Sequence, residues 1–267
     1  MIREPAVAGR FYDADPESLR KCVQSCLTRR ETPIEAKGIV APHAGYVYSG
    51  AVAGAVYGAV RLPQSCIILG PNHTGRGAVL SLHPPGEWRT PLGTAPVDEA
   101  LNRRLLAECS LLQEEAGAHA REHSIEVQLP FLQVLAGAPR FAAICVGTGD
   151  YASLDNLGHA LARTVMAFPE PVMLIVSSDM THYESADAAA RKDRLALDRI
   201  VELDPRGLYR IVGERDISMC GFAPAIAMIV ACIDLGASRG ELIRYANSGD
   251  VSGDHTHVVG YAGIAIA

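Results

Sequence analysis

The sequence predicts an α/β fold in which a sheet is covered by helices on both faces. Short β-branched runs alternate along the chain with amphipathic or Ala-rich segments, an alternation typical of a parallel sheet buried between helices. The chain has 267 residues, of which 49% are hydrophobic and 20% are charged, so it can bury a core without disulfides or structural metals. No repeat or Pro/Ser linker interrupts it, and we expect residues 1–267 to form a single domain.

Apolar runs rich in β-branched residues predict six strands, and segments with helical periodicity predict six helices. The strands are placed at residues 38–41, 66–69, 142–146, 172–176, 242–245 and 258–266. The helices are placed at residues 50–60, 98–108, 125–135, 154–168, 186–203 and 225–235. The turn-rich segment HPPGEWRTPLGTAP, residues 83–96, is expected to form a surface hairpin or flap.

Charge and hydropathy exclude several classes of function. The chain has a net charge of -6 and no block of Lys and Arg, so it lacks the electrostatic footprint of a nucleic-acid-binding protein. The longest uncharged stretch, residues 217–233, is shorter than the roughly 20 residues of a membrane span. The first residues, MIREPAVAGRFYDADP, carry charges where a signal peptide is apolar. We therefore expect neither a nucleic-acid partner nor a membrane.

Cysteine usage indicates a reducing compartment. The seven cysteines are an odd number, and several lie inside apolar runs, as buried thiols do and as a disulfide framework does not. A cytoplasmic location is therefore expected for this protein.

Three predicted strands end in a polar cluster that contains a histidine. The segments are KGIVAPHAGY, SCIILGPNHTG and PVMLIVSSDMTHY. In α/β sheets, ligands bind in the crevice beyond the carboxyl ends of the strands, where residues distant in sequence converge. We therefore expect His43, His73, Asp179 and His182 to share one cleft.

Cys220 and His123 are further candidates for this cleft. Cys220, in DISMCGFAPAIAM, precedes a helix that Pro224 is expected to open, and a helix N-terminus stabilises the thiolate that binds metals or attacks carbon. The alternative is that Cys220 is one more buried thiol. His123, in REHSIEVQLPF, begins an amphipathic helix, where it is either a helix cap or a residue of the cleft.

The other histidines carry weaker signals. His255 and His257, in SGDHTHVVGY, alternate as on one face of a strand, so they form either an auxiliary metal site or a solvated segment. His83, His119 and His159 are expected on the surface.

Several catalytic motifs are absent from the sequence. LGPNHTGRG has no Lys after its second glycine, and VGTGDYASLDNLG lacks the third glycine of a dinucleotide fingerprint, so neither ATP nor NAD is indicated. There is no H-E-x-x-H, C-x-x-C or G-x-S-x-G. Zincin, zinc-ribbon and serine-hydrolase interpretations therefore lose their best support.

The motifs together resemble the Memo family, in particular its bacterial and archaeal members called AmmeMemoRadiSam system protein B. The resemblance is carried by REPAVAGRFY, APHAGYVYSG, LGPNHTG, EHSIEVQLPFL and SSDMTHY, then by the CG of SMCGFAP and the closing YANSGDVSGD and VVGYAGIA. So many motifs in one order make it specific, and it covers nearly the whole chain. It implies a three-layer α-β-α domain with a central mixed, largely parallel sheet, similar to class III extradiol dioxygenases.

The resemblance also implies a mononuclear metal site. His43, His73 and Cys220 match the metal-binding positions of the family, while Asp179 and His182 match residues that line the site, with His123 nearby. Class III extradiol dioxygenases hold ferrous iron with two histidines and a carboxylate, so Fe(II) is the leading metal. A thiolate in place of the carboxylate is softer and would also suit copper or zinc.

Three hypotheses about function follow. The first is a non-haem, iron-dependent oxidoreductase of unknown substrate, in which His182 is the acid/base, Asp179 orients either His182 or a metal-bound water, and His123 joins this catalytic group. The second is a protein that binds a small molecule or peptide in the same cleft without turnover, as animal relatives are associated with phosphotyrosine peptides. The third is a cysteine hydrolase with Cys220 as nucleophile and His182 as base. The resemblance further implies a functional association with a radical-SAM protein and an AMMECR-type protein.

Overall fold

The computed structural model describes residues 1–137 and 139–267 and has the predicted α/β architecture. The strands are β1 (Ile2–Arg3), β2 (Gly38–Ala41), β3 (Ser65–Pro71), β4 (Leu80–Leu82), β5 (Glu87–Thr90), β6 (Gly93–Pro96), β7 (Gln113–Glu114), β8 (Arg140–Val146), β9 (Val172–Ser177), β10 (His182–Glu184), β11 (Gly240–Asn247) and β12 (Val258–Ile266). The helices are α1 (Pro16–Cys26), α2 (Tyr46–Ala59), α3 (Glu99–Glu108), α4 (Leu129–Ala136), α5 (Tyr151–Ala167), α6 (Ala186–Val201), α7 (Pro205–Glu214), α8 (Phe222–Asp234) and α9 (Gly249–Ser252). Within these described ranges, none of the helices combines the length and apolarity that a membrane crossing requires.

The centre of the molecule is a parallel block of four strands in the order β2-β9-β3-β8. Antiparallel strands extend it on both sides, with β12 beside β2 and β4 beside β8. Beyond them, β10 and β11 pair with β12, and β7 pairs with β4. The sheet is therefore mixed and largely parallel at its core, as predicted.

Helices cover both faces of this sheet and form two cores. The side chains of Val40, Ile67 and Leu174 belong to the core under α3, α5, α6, α7 and α8. Their neighbours Ile39 and Ile68 belong to the opposite core, under α1, α2 and α4. Because successive side chains of a strand point to opposite faces, each central strand contributes to both cores. This confirms the predicted three-layer arrangement.

The predicted strands and helices are all present, with shifted ends, but two long helices were not predicted. Both α1 and α7 begin with an Asp-Pro pair, in which Asp15 accepts a hydrogen bond from Ser18 N and Asp204 accepts one from Gly207 N. Aspartate as N-cap followed by proline at the first helical position is a strong start signal. The start signals were therefore in the sequence, and α1 also has the apolar spacing of an amphipathic helix, with Leu19 and Val23 buried one turn apart.

The segment at residues 83–96 forms the predicted hairpin, but it is not a surface flap throughout. Strands β5 and β6 pair in antiparallel register, and β1 extends them to a three-stranded sheet. The Trp88 side chain of β5 is fully buried, with the Arg3 guanidinium 4.0 Å from the centroid of its ring and Phe141 at 5.5 Å. The hairpin thus fixes the N-terminal strand to the body of the protein.

The prediction that His83 and His119 lie on the surface is wrong. His83 is 1% exposed and His119 is fully buried, with ring centroids 5.2 Å apart. His83 Nδ1 lies 2.7 Å from the Pro84 carbonyl oxygen, and His119 Nε2 lies 3.1 Å from the Ser81 carbonyl oxygen. Each imidazole is therefore held as a neutral donor. His159, by contrast, is exposed as predicted.

Burial of these two histidines should make the protein less stable in mild acid. Burial lowers the pKa of His83 to about 4 and that of His119 to about 3, whereas unfolded histidine titrates near pH 6.5. Between these values the unfolded chain binds more protons than the folded chain. The free energy of unfolding, complete above pH 6.5, should therefore fall by up to about 1.4 kcal/mol per pH unit for each histidine down to the folded pKa.

Urea unfolding between pH 7 and 4 measures this slope. We expect His119→Gln to flatten it and His257→Asn, at an exposed position, to leave it unchanged. An identical slope in the wild type and His119→Gln would contradict the assignment.

Candidate metal centre

The strand order brings the predicted site residues to one edge of the sheet. His43 follows β2, His73 follows β3, and Asp179 and His182 follow β9, which lies between the other two strands. Because the three strands are parallel and adjacent, their carboxyl ends open into the same crevice. This placement agrees with the expectation of a shared cleft.

Three histidines form a cluster that can hold a metal ion. One ring nitrogen from each of His43, His73 and His123 lies within 4.8 Å of the other two. The ring centroids are 5.1 Å apart for His43 and His73, 5.3 Å for His43 and His123, and 4.8 Å for His73 and His123. His43 is 2% exposed, and the other two are more open to solvent. The cluster is therefore buried on the side of His43 and accessible to solvent on the side of His73 and His123.

The His43 ring is oriented by a hydrogen-bond network beneath it. Its Nδ1 lies 2.9 Å from Ser177 Oγ. That hydroxyl donates its one proton to the Ser124 carbonyl oxygen, at 2.5 Å, and accepts a bond from Gln128 Nε2, at 2.8 Å. Ser177 Oγ must therefore accept from His43 Nδ1, which leaves Nε2 unprotonated. His43 thus offers Nε2 to a metal.

Glu122 holds the other two histidines and was not predicted from the sequence. It is 1% exposed. Its Oε2 accepts from His73 N at 2.7 Å, and its Oε1 lies 2.9 Å from His73 Nδ1 and accepts from His123 N at 2.9 Å. Metal-ligating histidines often donate their second N–H to a carboxylate in this way. The available signal was its position directly before His123 in REHS.

The charges of the cluster follow from burial and from Glu122. Burial, with added repulsion from His123 and His73, lowers the pKa of His43 well below its ordinary value. Burial also lowers the pKa of His123. Burial also acts to lower the pKa of His73. The hydrogen bond and the negative charge of Glu122 outweigh burial there, so the pKa of His73 is raised. Burial raises the pKa of Glu122, yet bonds from His73 and the backbone lower it to about 2. Glu122 is therefore a permanent anion beneath the cluster.

Cys220 and Asp179 lie beside His43 rather than within the cluster of three rings. Cys220 Sγ is 3.2 Å from His43 Nε2 and accepts from Asp179 N at 3.3 Å. Asp179 Oδ1 accepts from His43 N at 2.8 Å. Burial, reinforced by Asp179, raises the pKa of the Cys220 thiol far above its ordinary value, and burial raises the pKa of Asp179 to about 6. The expected thiolate stabilisation by the start of α8 is therefore outweighed by desolvation.

His182 lies at the same edge but makes its contacts outside the cluster. Its backbone N–H donates to Ser218 Oγ at 2.8 Å, and its Nδ1 lies 3.0 Å from the Ser218 carbonyl oxygen. Nδ1 is therefore the protonated nitrogen, and Nε2 can accept a proton. His255 and His257 are exposed and precede β12 rather than lying on it, so they do not form the predicted strand face.

The N-terminal segment supplies one wall of the site. The Phe11 ring lies 4.8 Å from the His123 ring. The segment before it is anchored by Glu126, whose side chain is fully buried. The donors to this carboxylate are Arg3 Nη1, the backbone N–H groups of Ala6 and Val7, and Tyr12 Oη. The Phe11 wall is therefore fixed by a buried carboxylate three residues beyond His123.

We expect Glu122→Gln to weaken metal binding by about 10- to 100-fold, the usual effect of losing such a carboxylate partner. The amide removes the charge but keeps the size of the side chain, so folding should be retained. Affinity is measured by competition with a chromophoric chelator. Glu114→Gln, at an exposed position, is the control, and equal affinities of the two variants would contradict the assigned role.

Comparisons with known proteins agree with this architecture. A sequence profile described as Memo-like protein matches residues 3–265. A MEMO1 family protein of Methanopyrus kandleri is 44% identical over 99% of this chain and 98% of its own, and one of Methanothermobacter thermautotrophicus is 39% identical over 98% and 99%. The crystal structure of an uncharacterized protein of Escherichia coli K12 has a TM-score of 0.59 at 11% identity, covering 87% of this chain and 100% of that one, and so shares the fold. The chain belongs to the Memo family.

Proposed function

We propose that this protein is a metal-dependent oxidoreductase that holds ferrous iron with His43, His73 and His123. The observation that carries the proposal is the convergence of three imidazole nitrogens within 4.8 Å. Two of the rings have their Nδ1 atoms engaged by Ser177 and Glu122, so their Nε2 atoms are free. Neutral imidazoles suit iron, copper and zinc, and the fold resemblance to class III extradiol dioxygenases favours iron.

Cys220 is proposed as a further ligand. Its sulfur lies 3.2 Å from His43 Nε2, the nitrogen that would face the ion. Because burial raises the pKa of its thiol, the thiol would lose its proton only when a cation compensates the charge. Metal binding through Cys220 should therefore release a proton.

A ferrous ion would supply redox chemistry with dioxygen at this edge of the sheet. The protein residues around it have separate tasks. His182, with Nδ1 directed at the Ser218 carbonyl, would exchange a proton with the substrate through Nε2. Asp179 holds the backbone of His43 in place. The Phe11 ring lies against His123 on one side of the site.

The geometry gives less support to a cysteine hydrolase. A nucleophilic cysteine needs a lowered pKa and a base within hydrogen-bond reach. The pKa of Cys220 is raised instead, and the imidazole that contacts its sulfur is His43, whereas His182 bonds to Ser218.

Anaerobically reconstituted protein should bind about one ferrous ion per chain. We expect His43→Ala, His73→Ala and His123→Ala each to lose the ion, because each removes one of the three nitrogens. Cys220→Ala should keep the ion and bind it more weakly. His159→Ala, at an exposed position, is the control. Full metal content by elemental analysis in all three histidine variants would sink the proposal.

The ferrous protein should consume dioxygen when mixed with catechols or with an extract of its own cells. His182→Gln should slow this consumption by about 10²- to 10⁴-fold, the usual contribution of an acid/base, and should keep the ion. An oxygen electrode measures the rate. Binding of a compound or peptide without any oxygen consumption would instead favour the second hypothesis, a binding protein without turnover.

A further inference from the structure

A second concave site lies at the opposite end of the strands from the metal centre. A cavity of about 540 Å³ opens between α3 and the segment that follows α5, and its lining includes Arg103 and Arg104 of α3 and Arg140 of β8. Arg140 is the first residue of β8, which is parallel to β3, whereas His73 follows the last residue of β3. The cavity is therefore separate from the three-histidine centre.

The cavity concentrates positive charge in a protein that is acidic as a whole. The net charge of the chain is -6, yet three arginines line this cavity beside two acidic residues, Asp98 and Glu170. Charges of one sign that line a concave surface raise the local concentration of ligands of the opposite sign. The acidic residues decide whether any of the three positive charges is left for a ligand.

Both carboxylates of the cavity are engaged by other groups. Glu170 Oε2 lies 2.5 Å from Arg140 Nη2. Asp98 Oδ1 caps the start of α3 by accepting from the backbone N–H groups of Ala100 and Leu101, at 3.0 and 3.1 Å. Asp98 Oδ2 lies 3.7 Å from Arg140 Nε. The acidic groups therefore neutralise Arg140 and complete the helix cap, and they leave the other two arginines unpaired.

Arg103 and Arg104 are the free cations of this cavity. Both are exposed on α3, and across residues 1–137 and 139–267 neither has an acidic oxygen within 4.0 Å of its guanidinium nitrogens. Glu108, four residues after Arg104, is the usual type of helix partner, but it bonds instead to Arg163 Nε at 2.6 Å. Two neighbouring guanidinium groups are therefore available to an anion.

The third arginine carries a buried donor that lacks an acceptor. Within the described residues, Arg140 Nε is shielded from solvent and makes no hydrogen bond, because its 3.7 Å distance to Asp98 Oδ2 is longer than a hydrogen bond. Buried donors are nearly always paired, and an unpaired one is unfavourable. An anion bound beside Arg140 would supply an acceptor. This observation indicates a ligand independently of the two exposed charges.

The rest of the cavity is lined by apolar side chains. Ala100 and Ala107 are small residues on α3, and Phe168 and Pro169 follow the end of α5. Phe168 is half-buried and packs against the core beneath these helices, which fixes its position. Sites for small molecules commonly combine apolar walls with a few charged groups in cavities of this size. The cavity thus offers both a charged part and an apolar part to a ligand.

We propose that this cavity binds a phosphorylated small molecule, with the phosphate on Arg103 and Arg104 and the organic part against Phe168 and Pro169. A guanidinium binds two oxygens of an anion through parallel N–H bonds. The two oxygens of a carboxylate are occupied by one such group, whereas a phosphate has a larger charge and three acceptor oxygens for two. The ligand does not contact the three histidines, so this inference is independent of the proposed metal centre.

Titration calorimetry of the full chain with ADP, pyrophosphate and adenosine tests the proposal. We expect ADP to bind about tenfold more tightly than pyrophosphate, because its organic part adds contacts with the apolar wall. Adenosine, which lacks the phosphates, should bind at least about tenfold more weakly than ADP. Added salt should weaken the binding of ADP, since exposed guanidinium groups are screened by ions.

A pair of double variants locates the binding. Arg103→Gln with Arg104→Gln removes both free charges and should weaken ADP binding by at least about tenfold. Glutamine is a good helix former, so this variant should fold and keep its helix content by circular dichroism. Arg20→Gln with Arg191→Gln is the matched control, because it removes two exposed charges from α1 and α6, outside the cavity. Its affinity for ADP should stay within about twofold of the wild type.

Three results would overturn the proposal. Wild-type protein that does not bind ADP would exclude this ligand class. Binding that survives the loss of Arg103 and Arg104, as coordination to a metal ion at the histidines would, or that falls equally in both double variants, would exclude this location. Pyrophosphate that binds as tightly as ADP would exclude the role of the apolar wall.

Discussion

The carboxylate of Glu122 is the interaction on which the candidate site depends. It is buried, ionised and bonded to both the backbone and the ring of His73, and to the backbone of His123. A buried charge without partners is costly, but this one is satisfied by the groups that it orients. The His73 ring and the backbone of His123, which come from separate loops, therefore take fixed positions beside one anion. The third ring, His43, is oriented independently by a neutral network through Ser177.

The surrounding structure makes this arrangement rigid. Glu126, four residues after Glu122, gathers the N-terminal segment and so holds Phe11 against His123. The 3-10 turn at Glu126–Gln128 therefore supports two parts of the site. Its Glu126 holds the N-terminal segment, and its Gln128 donates a hydrogen bond to the Ser177 hydroxyl that contacts His43. One short turn connects the N-terminal wall, the Glu122 loop and the support of His43. Substitutions in this turn should therefore alter the positions of all three histidine rings.

Burial sets the chemistry of the groups around the centre. It keeps His43 and His123 neutral, and neutral imidazole is the form that binds a metal. It also keeps the Cys220 thiol protonated unless a cation is present. The site is therefore prepared for a positive ion, with one permanent anion beneath it and two further acidic groups, Cys220 and Asp179, beside it.

The sequence alone indicated the sheet and the edge at which the site lies, because strand periodicity and the polar clusters after three strands are local signals. It correctly placed His43 and His73 together, since parallel neighbouring strands end at one edge. It left open whether His123 is a cap or a cleft residue, missed Glu122, and assigned His83 and His119 to the surface. The placement of these residues depends on contacts with residues that are distant in the sequence, and hydrophobic periodicity does not indicate such contacts. The same reason applies to Cys220, whose charge state depends on desolvation by the fold rather than on its position before α8.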